Sequence, residues 1–162
     1  MKKKTPIWLS VLLLVAVILI NGMGGEAPEE PSYPVDATEY VENVEIDEEG
    51  WYYSADEVAL YLHLYGHLPD NFITKSEAAS LGWEGGSVEP YAPDHVIGGD
   101  KFGNREGLLP DAKGRYYYEC DIDTLGEDSR GAKRIVFSND GLIYYTADHY
   151  ESFELLYGDP DA

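Results

Sequence analysis

Most of the residues able to do chemistry gather in the second half of the chain. Alternation along residues 115–122 sends Tyr116, Tyr118, Cys120 and Ile122 to one face of a strand, and Arg115, Tyr117, Glu119 and Asp121 to the other. The first set can pack a core, with Cys120 as a small buried hydrophobe. The second set leaves two carboxylates beside an arginine on a polar face, an arrangement usually met as solvated sheet surface. His149, in Asp148-His149-Tyr150, follows another apolar run and sits where a loop leaves the sheet. A carboxylate and a histidine on neighbouring sheet elements could supply base and acid for a proton transfer. Lys75, Arg130 and Arg134 could stabilise charge developing on a phosphate. His63 lies in a helical run, His67 just past its end and His95 in a loop, positions that suit structural or solvated rings. No G-x-x-x-x-G-K-[ST], G-x-S-x-G or H-E-x-x-H motif occurs.

The elements that must position these groups read as helices first and strands after. Ser54-Ala55-Asp56-Glu57 is a capping box, and Val58, Tyr61, Leu62 and Tyr65 then form an apolar stripe that ends at Gly66. Leu68-Pro69-Asp70-Asn71 is a turn. Thr74-Lys75-Ser76-Glu77 is a second capping box, opening a short helix that Gly82 stops. Lys75 therefore lies in a first helical turn, where a cation is slightly unfavourable, which hints at a role other than helix stability. After Trp83 the period changes to two, and strands are predicted at residues 96–102, 115–122, 133–138, 142–146 and 152–157. Asn139-Asp140-Gly141 reads as a hairpin turn, and Gly98-Gly99 as a bulge or close approach. The expected fold class is α+β, with two or three N-terminal helices packed on a C-terminal antiparallel sheet of four or five strands.

Composition sets the wider frame. The chain has 162 residues, of which 31 are Asp or Glu and 11 Lys or Arg, a formal net charge of −20. Its single cysteine excludes an intramolecular disulfide framework and any multi-cysteine zinc site. Lys2, Lys3 and Lys4 precede an apolar run over residues 7–20, whose length as a helix is ~21 Å, short of the ~30 Å hydrocarbon core. With the small residues that follow, residues 1–25 read as a secretory signal, or failing cleavage a membrane anchor, and export is expected. Residues 26–50 carry ten acids, no Lys or Arg, and Pro28, Pro31 and Pro34, and read as an acidic linker or pro-segment. Residues 51–162 keep 21 acids and eight Lys or Arg, a net of −13. That balance argues against holding nucleic acid through a broad basic face.

Four blocks are more specific than these patterns. They are Leu68-Pro69-Asp70-Asn71-Phe72-Ile73-Thr74-Lys75-Ser76-Glu77-Ala78, Ile97-Gly98-Gly99-Asp100-Lys101-Phe102-Gly103-Asn104-Arg105-Glu106-Gly107, Gly114-Arg115 through Asp121-Ile122, and Leu142-Ile143-Tyr144 through Asp148-His149-Tyr150. In order and spacing they resemble the secreted bacterial guanyl-preferring ribonucleases, the barnase-like branch of the microbial ribonucleases, over roughly residues 51–157. The resemblance implies an α+β ribonuclease fold and a secreted, monomeric, cofactor-free and metal-independent endoribonuclease acting on single-stranded RNA after guanosine. It implies Glu119 as general base toward the ribose 2′-hydroxyl and His149 as general acid toward the leaving 5′-oxygen, with a 2′,3′-cyclic phosphate as the first product. Lys75, Arg130 and Arg134 then surround the scissile phosphate. Phe102, Gly103, Asn104, Arg105, Glu106 and Tyr150 form the substrate site, with Glu106 accepting from guanine and Tyr150 as an aromatic wall. Asp100, Arg115 and Asp121 support the site, the last two as a buried ionic network. An intracellular protein inhibitor resembling barstar is an implied partner, and no stable membrane association follows signal removal. Two departures stand out: Gly103 replaces a usual serine, and Gly141 a hairpin tryptophan. The alternatives are a non-catalytic extracellular binding module on the same fold, or the same chemistry in a toxin delivered to rival cells.

Overall fold

Both capping boxes form. In the computed structural model, which describes residues 45–161, Ser54 caps helix α1 (Ala55–Tyr65) and Gly66 closes it in the left-handed conformation, with φ 75°. Thr74 caps helix α2 (Lys75–Ser80), which ends at Leu81, just before the expected Gly82 stop. In each box the Glu three residues on returns its carboxylate to the cap, which satisfies the free N–H groups of the first turn. These are the two α-helices among the described residues.

Six strands follow one another in a single sheet in the order of the chain: β1 (Phe72–Ile73), β2 (Val96–Phe102), β3 (Tyr117–Asp121), β4 (Arg134–Ser138), β5 (Ile143–Thr146) and β6 (Glu154–Tyr157). All neighbours are antiparallel except β1, which runs parallel to β2. The sheet thus has one strand more than expected, because two residues between the turn and α2 are too short a run to show period-2 alternation. The hairpin at Asn139-Asp140-Gly141 joins β4 to β5, and Gly141 has φ 98°. The ladder shifts register between Gly98 and Asp100. At Gly98 a Cβ would lie 2.6 Å from both Cys120 Cβ and Phe72 Cδ1, so the close approach there demands glycine.

One face of the sheet is buried by α1. Val58, Ala59 and Leu62 pack on Cys120, Ile122, Ile135 and Ile143. Complete burial and the neighbouring Asp121 push the Cys120 thiol pKa up, so it behaves as the apolar filler expected. The opposite face departs from expectation. Tyr117, Glu119 and Asp121 are not a solvated surface: the loop between β2 and β3 folds back and seats Leu109 against Tyr117, Val136, Leu142 and Tyr144. Strand β3 also begins later than predicted, at Tyr117. Arg115 N–H closes a turn onto Ala112 O, and Tyr116 N–H donates to Asn139 Oδ1, so both residues lie outside the ladder and Tyr116 is 49% exposed.

The chain before Trp51 is likewise engaged where a linker was expected. Ile46 is buried, the Tyr65 hydroxyl donates to Ile46 O, and the Tyr61 hydroxyl donates to Glu48 O. The signal segment and the acidic stretch up to residue 44 lie outside the described residues. No helix among the described residues is long and apolar enough to cross a membrane.

Candidate active site

Strand register decides which side chains meet. Asp100, Glu119, Val136 and Tyr144 are successive cross-strand partners, and so are Asp121, Arg134 and Thr146. Cross-strand partners share a face, so Asp100, Glu119, Asp121, Arg134 and Thr146 all look toward the side away from α1. Lys75 reaches them from the first turn of α2. Its Nζ lies 2.6 Å from Glu119 Oε1, and its backbone N–H donates to Asp100 Oδ2 at 2.9 Å. Asp100 therefore occupies the place favoured for an anion, at a helix N-terminus, and ties α2 to β2. The cation that is unfavourable for the helix is explained by its partner, a buried carboxylate. The Tyr150 hydroxyl donates to the other oxygen, Glu119 Oε2, at 2.5 Å.

Next to this pair lies a second ionic group. Asp121 accepts from Arg130 Nε and Nη2 at 2.7 and 2.8 Å, a two-pronged contact, and its Oδ1 is 3.0 Å from Arg134 Nε. Arg134 Nη1 donates to Arg130 O and Lys133 O, whereas its Nε is not aligned for a hydrogen bond and meets Asp121 through charge alone. The Asp121 hydrogen bonds push the Arg130 pKa further up, and its guanidinium sits 5.9 Å from the centre of the Trp83 ring. Lys75, Arg130 and Arg134 thus gather three cations around Glu119 and Asp121, where a phosphate could bind, while Asp100 is turned to the N-terminus of α2. Arg115 is not part of this group. Its Nε pairs with Asp140 Oδ2 at 2.7 Å and its Nη1 donates to Pro110 O, pinning the β2–β3 loop to the β4–β5 hairpin. The expected network of Arg115 with Asp121 is replaced by Asp121 with Arg130 and Arg134, because the turn at Ala112–Arg115 carries Arg115 off the strand.

His149 and Tyr150 leave β5 with φ of 57° and 73°, left-handed values uncommon for residues with a side chain. A local polar box holds them there. Thr146 Oγ1 donates to Asp148 Oδ1 at 2.8 Å and accepts from Tyr150 N–H at 3.0 Å. Ser152 donates to Asp148 through both its backbone N–H and its hydroxyl, and these donors hold the Asp148 pKa down at about 2. Sequence reasoning missed Thr146, Asp148 and Ser152 as positioning groups. The signal was present in a Thr two before and a Ser four after an Asp, the side chains that close turns onto their own backbone. His149 N–H bonds to Ala132 O, which fixes the loop against the approach to β4.

The His149 ring is exposed beside Tyr150, and Tyr150 stacks on Phe102 at 5.2 Å between centroids. Phe102, Glu106, Leu108, His149, Tyr150 and Glu151 line an open cleft of about 420 Å³. Its far wall is the loop from Gly103, in which Asn104, with φ 43°, exchanges side-chain hydrogen bonds with both Leu109 N–H and O. Gly107 N–H closes a turn onto Asn104 O, which leaves Arg105 and Glu106 exposed at its tip. Arg105 makes no ion pair among the described residues. His63 stacks on Tyr157, His67 lies beside Tyr61 and Glu48, and His95 packs on Trp51, away from this cleft. No group of three or more His, Cys, Asp or Glu is placed to hold a metal ion among the described residues.

A carboxylate held by a lysine, two arginines sharing a second carboxylate, and a histidine at the lip of an aromatic cleft are groups that could serve general acid–base chemistry on a phosphate ester. A family model described as ribonuclease matches residues 55–157. A ribonuclease of Bacillus pumilus is 38% identical over 159 residues, covering 94% of this chain and 98% of its own. A ribonuclease of Heyndrickxia coagulans is 52% identical over 100 residues, covering 60% and 91%. Guanyl-specific ribonuclease St of Saccharopolyspora erythraea is 47% identical over 72 residues, covering 44% and 67%. The chain belongs to the barnase-like microbial ribonuclease family, and it is an endoribonuclease whose substrate is RNA.

Proposed function

We propose that the protein is a secreted, guanyl-preferring endoribonuclease that cleaves by transphosphorylation and needs no cofactor or metal. Glu119 takes the proton from the ribose 2′-hydroxyl, which attacks the phosphorus, and His149 protonates the departing 5′-oxygen. The products are a 2′,3′-cyclic phosphate and a free 5′-hydroxyl. Water then opens the ring with the two roles exchanged. Lys75, Arg130 and Arg134 offset the charge that gathers on the phosphoryl oxygens in the transition state. The reaction uses the 2′-hydroxyl, so DNA is not a substrate.

The observation that carries this reading is the pairing of Glu119 with Lys75 beside the Asp121–Arg130–Arg134 group. A lone carboxylate on a polar sheet face would be ordinary, but one held by a lysine and a phenol, beside two arginines that share a second carboxylate, suits a base acting next to a phosphate. Tyr150 and Phe102 offer a stacked pair of rings to a base, and Glu106, at the exposed loop tip, offers a carboxylate to the N1–H and N2–H donors of guanine. The relatives named guanyl-specific support that preference. The N-terminal sequence supports export, a monomer suffices for the site, and a barstar-like inhibitor would restrain the enzyme inside the producing cell. Base choice tests the substrate half of this reading. On GpU and ApU dinucleotides, Glu106→Ala should lose the preference for G at least tenfold while cleavage of ApU changes little. Preference unchanged in the variant would remove Glu106 from base recognition.

A further inference from the structure

Glu119 is held at both oxygens, and one of its two holders is neutral. Lys75 approaches Oε1, while the donor at Oε2 is a phenol. An aromatic wall for a base does not require that hydroxyl, since a phenylalanine ring would stack on Phe102 equally well. Yet the Tyr150 ring is fixed from both ends. It stacks on Phe102 at 5.2 Å, and its backbone N–H donates to Thr146 Oγ1, a buried hydroxyl that also bonds Asp148. Burial and the neighbouring Glu119 carboxylate push the phenol pKa up, so it remains a donor at any pH at which the enzyme works.

The charged groups around Glu119 come from every neighbouring element: Lys75 from α2, Asp100 from β2, Asp121 from β3, Arg134 from β4, Arg130 from the preceding loop, and Tyr150 with His149 from the β5–β6 loop. The cations attract the substrate phosphate as well as Glu119, so their hold on the base changes when RNA enters. Tyr150 carries no charge to divert. A carboxylate oxygen has about two lone pairs, so Lys75 and Tyr150 each leave one free on the oxygen they hold.

We propose that Tyr150 is a positioning residue for the base: its hydroxyl fixes the plane of the Glu119 carboxylate, with a free lone pair toward the 2′-hydroxyl. The inference rests on Glu119 being the base. A base whose carboxylate turns out of line loses rate at the chemical step rather than at binding, so loss of the hydroxyl should lower kcat and leave KM in place.

The test compares the wild type with Tyr150→Phe, which keeps the ring. kcat and KM for GpU are measured from pH 4 to pH 9, and the Glu119 carboxyl is followed by NMR over the same range. The loss should fall on kcat, about tenfold, with KM changed less than twofold, and the Glu119 carboxyl resonance should differ between the two proteins at the pH of highest activity. An unchanged kcat, or a loss carried by KM, would overturn the proposal, because the hydroxyl would then only fill space or hold substrate. Glu119→Gln is the control for the reading beneath it: if that variant keeps the activity and the acid limb, Glu119 is not the base and the NMR result alone reports on the contact.

Discussion

Replacing Asp121 by asparagine should unsettle the whole domain, although the two side chains have nearly the same shape. Asp121 and Arg134 are each 2% exposed, and Asp121 is the shared counter-ion of Arg134 and Arg130. In Asp121→Asn the buried Arg134 guanidinium keeps its charge and faces only neutral acceptors at close range, the carbonyl oxygens of Arg130 and Lys133 and the new amide oxygen. Stripping one partner from a buried pair costs about 3–5 kcal/mol, because the other charge is left uncompensated. Typical domains have about 5–15 kcal/mol in all, so the variant should lose a large share of its stability. With a urea m-value of about 2 kcal/mol/M, the unfolding midpoint falls by roughly 1.5–2.5 M. The comparison is Asp123→Asn, which breaks the exposed pair with Lys133. There both groups stay hydrated, and the change should lie within about 1 kcal/mol. Equal, small shifts in the two variants would refute the reasoning, since burial would then not set the cost.

Gly98→Ala places a methyl 2.6 Å from Cys120 Cβ and Phe72 Cδ1, so β2 and β3 must part, at a cost of about 1–3 kcal/mol; a thermal melt reads this as a lower Tm, and an unchanged Tm would deny the contact. The Asp148 pKa is held down at about 2 by Ser152 and Thr146, so its contribution to stability is complete above the ordinary carboxylate range and is lost as pH falls through about 2. The stability gap between wild type and Asp148→Asn should therefore be full at pH 5 and close toward pH 2, followed by urea unfolding at each pH.

Local signals in the sequence translated directly into structure. The capping residues Ser54 and Thr74, the Gly66 stop and the Asn139-Asp140-Gly141 hairpin all act within a few residues, where the preferences of single side chains decide. Strand β2 appears at its expected bounds, with the register shift at the paired glycines that the sequence marks as a bulge or close approach. The failures are long-range. Alternation placed Arg115 on the side of Glu119, but it carries no information about the turn at Ala112 or about Asp140, 25 residues away. It also made the Glu119 face look solvated, because Leu109 reaches that face from a loop whose path is not periodic. Composition assigns Ile46 to a linker, and its contact shows only in the fold, where the Tyr65 hydroxyl on α1 reaches Ile46 O and the Tyr61 hydroxyl reaches Glu48 O. Lys75 is the middle case: its unfavourable place in a helix start signalled a partner without naming Glu119.

The central claim is that Glu119 and His149 exchange protons with an RNA phosphodiester. The most direct measurement incubates wild type, Glu119→Gln and His149→Ala with GpU and with a dinucleotide whose guanosine lacks the 2′-hydroxyl, and identifies the products by mass. Wild type should convert GpU to guanosine 2′,3′-cyclic phosphate and uridine, and leave the 2′-deoxy compound intact. Each variant should fall by at least a hundredfold, since general acid–base catalysis contributes about 10²–10⁴-fold. Cleavage of the 2′-deoxy compound, or undiminished formation of the cyclic product by either variant, would contradict it.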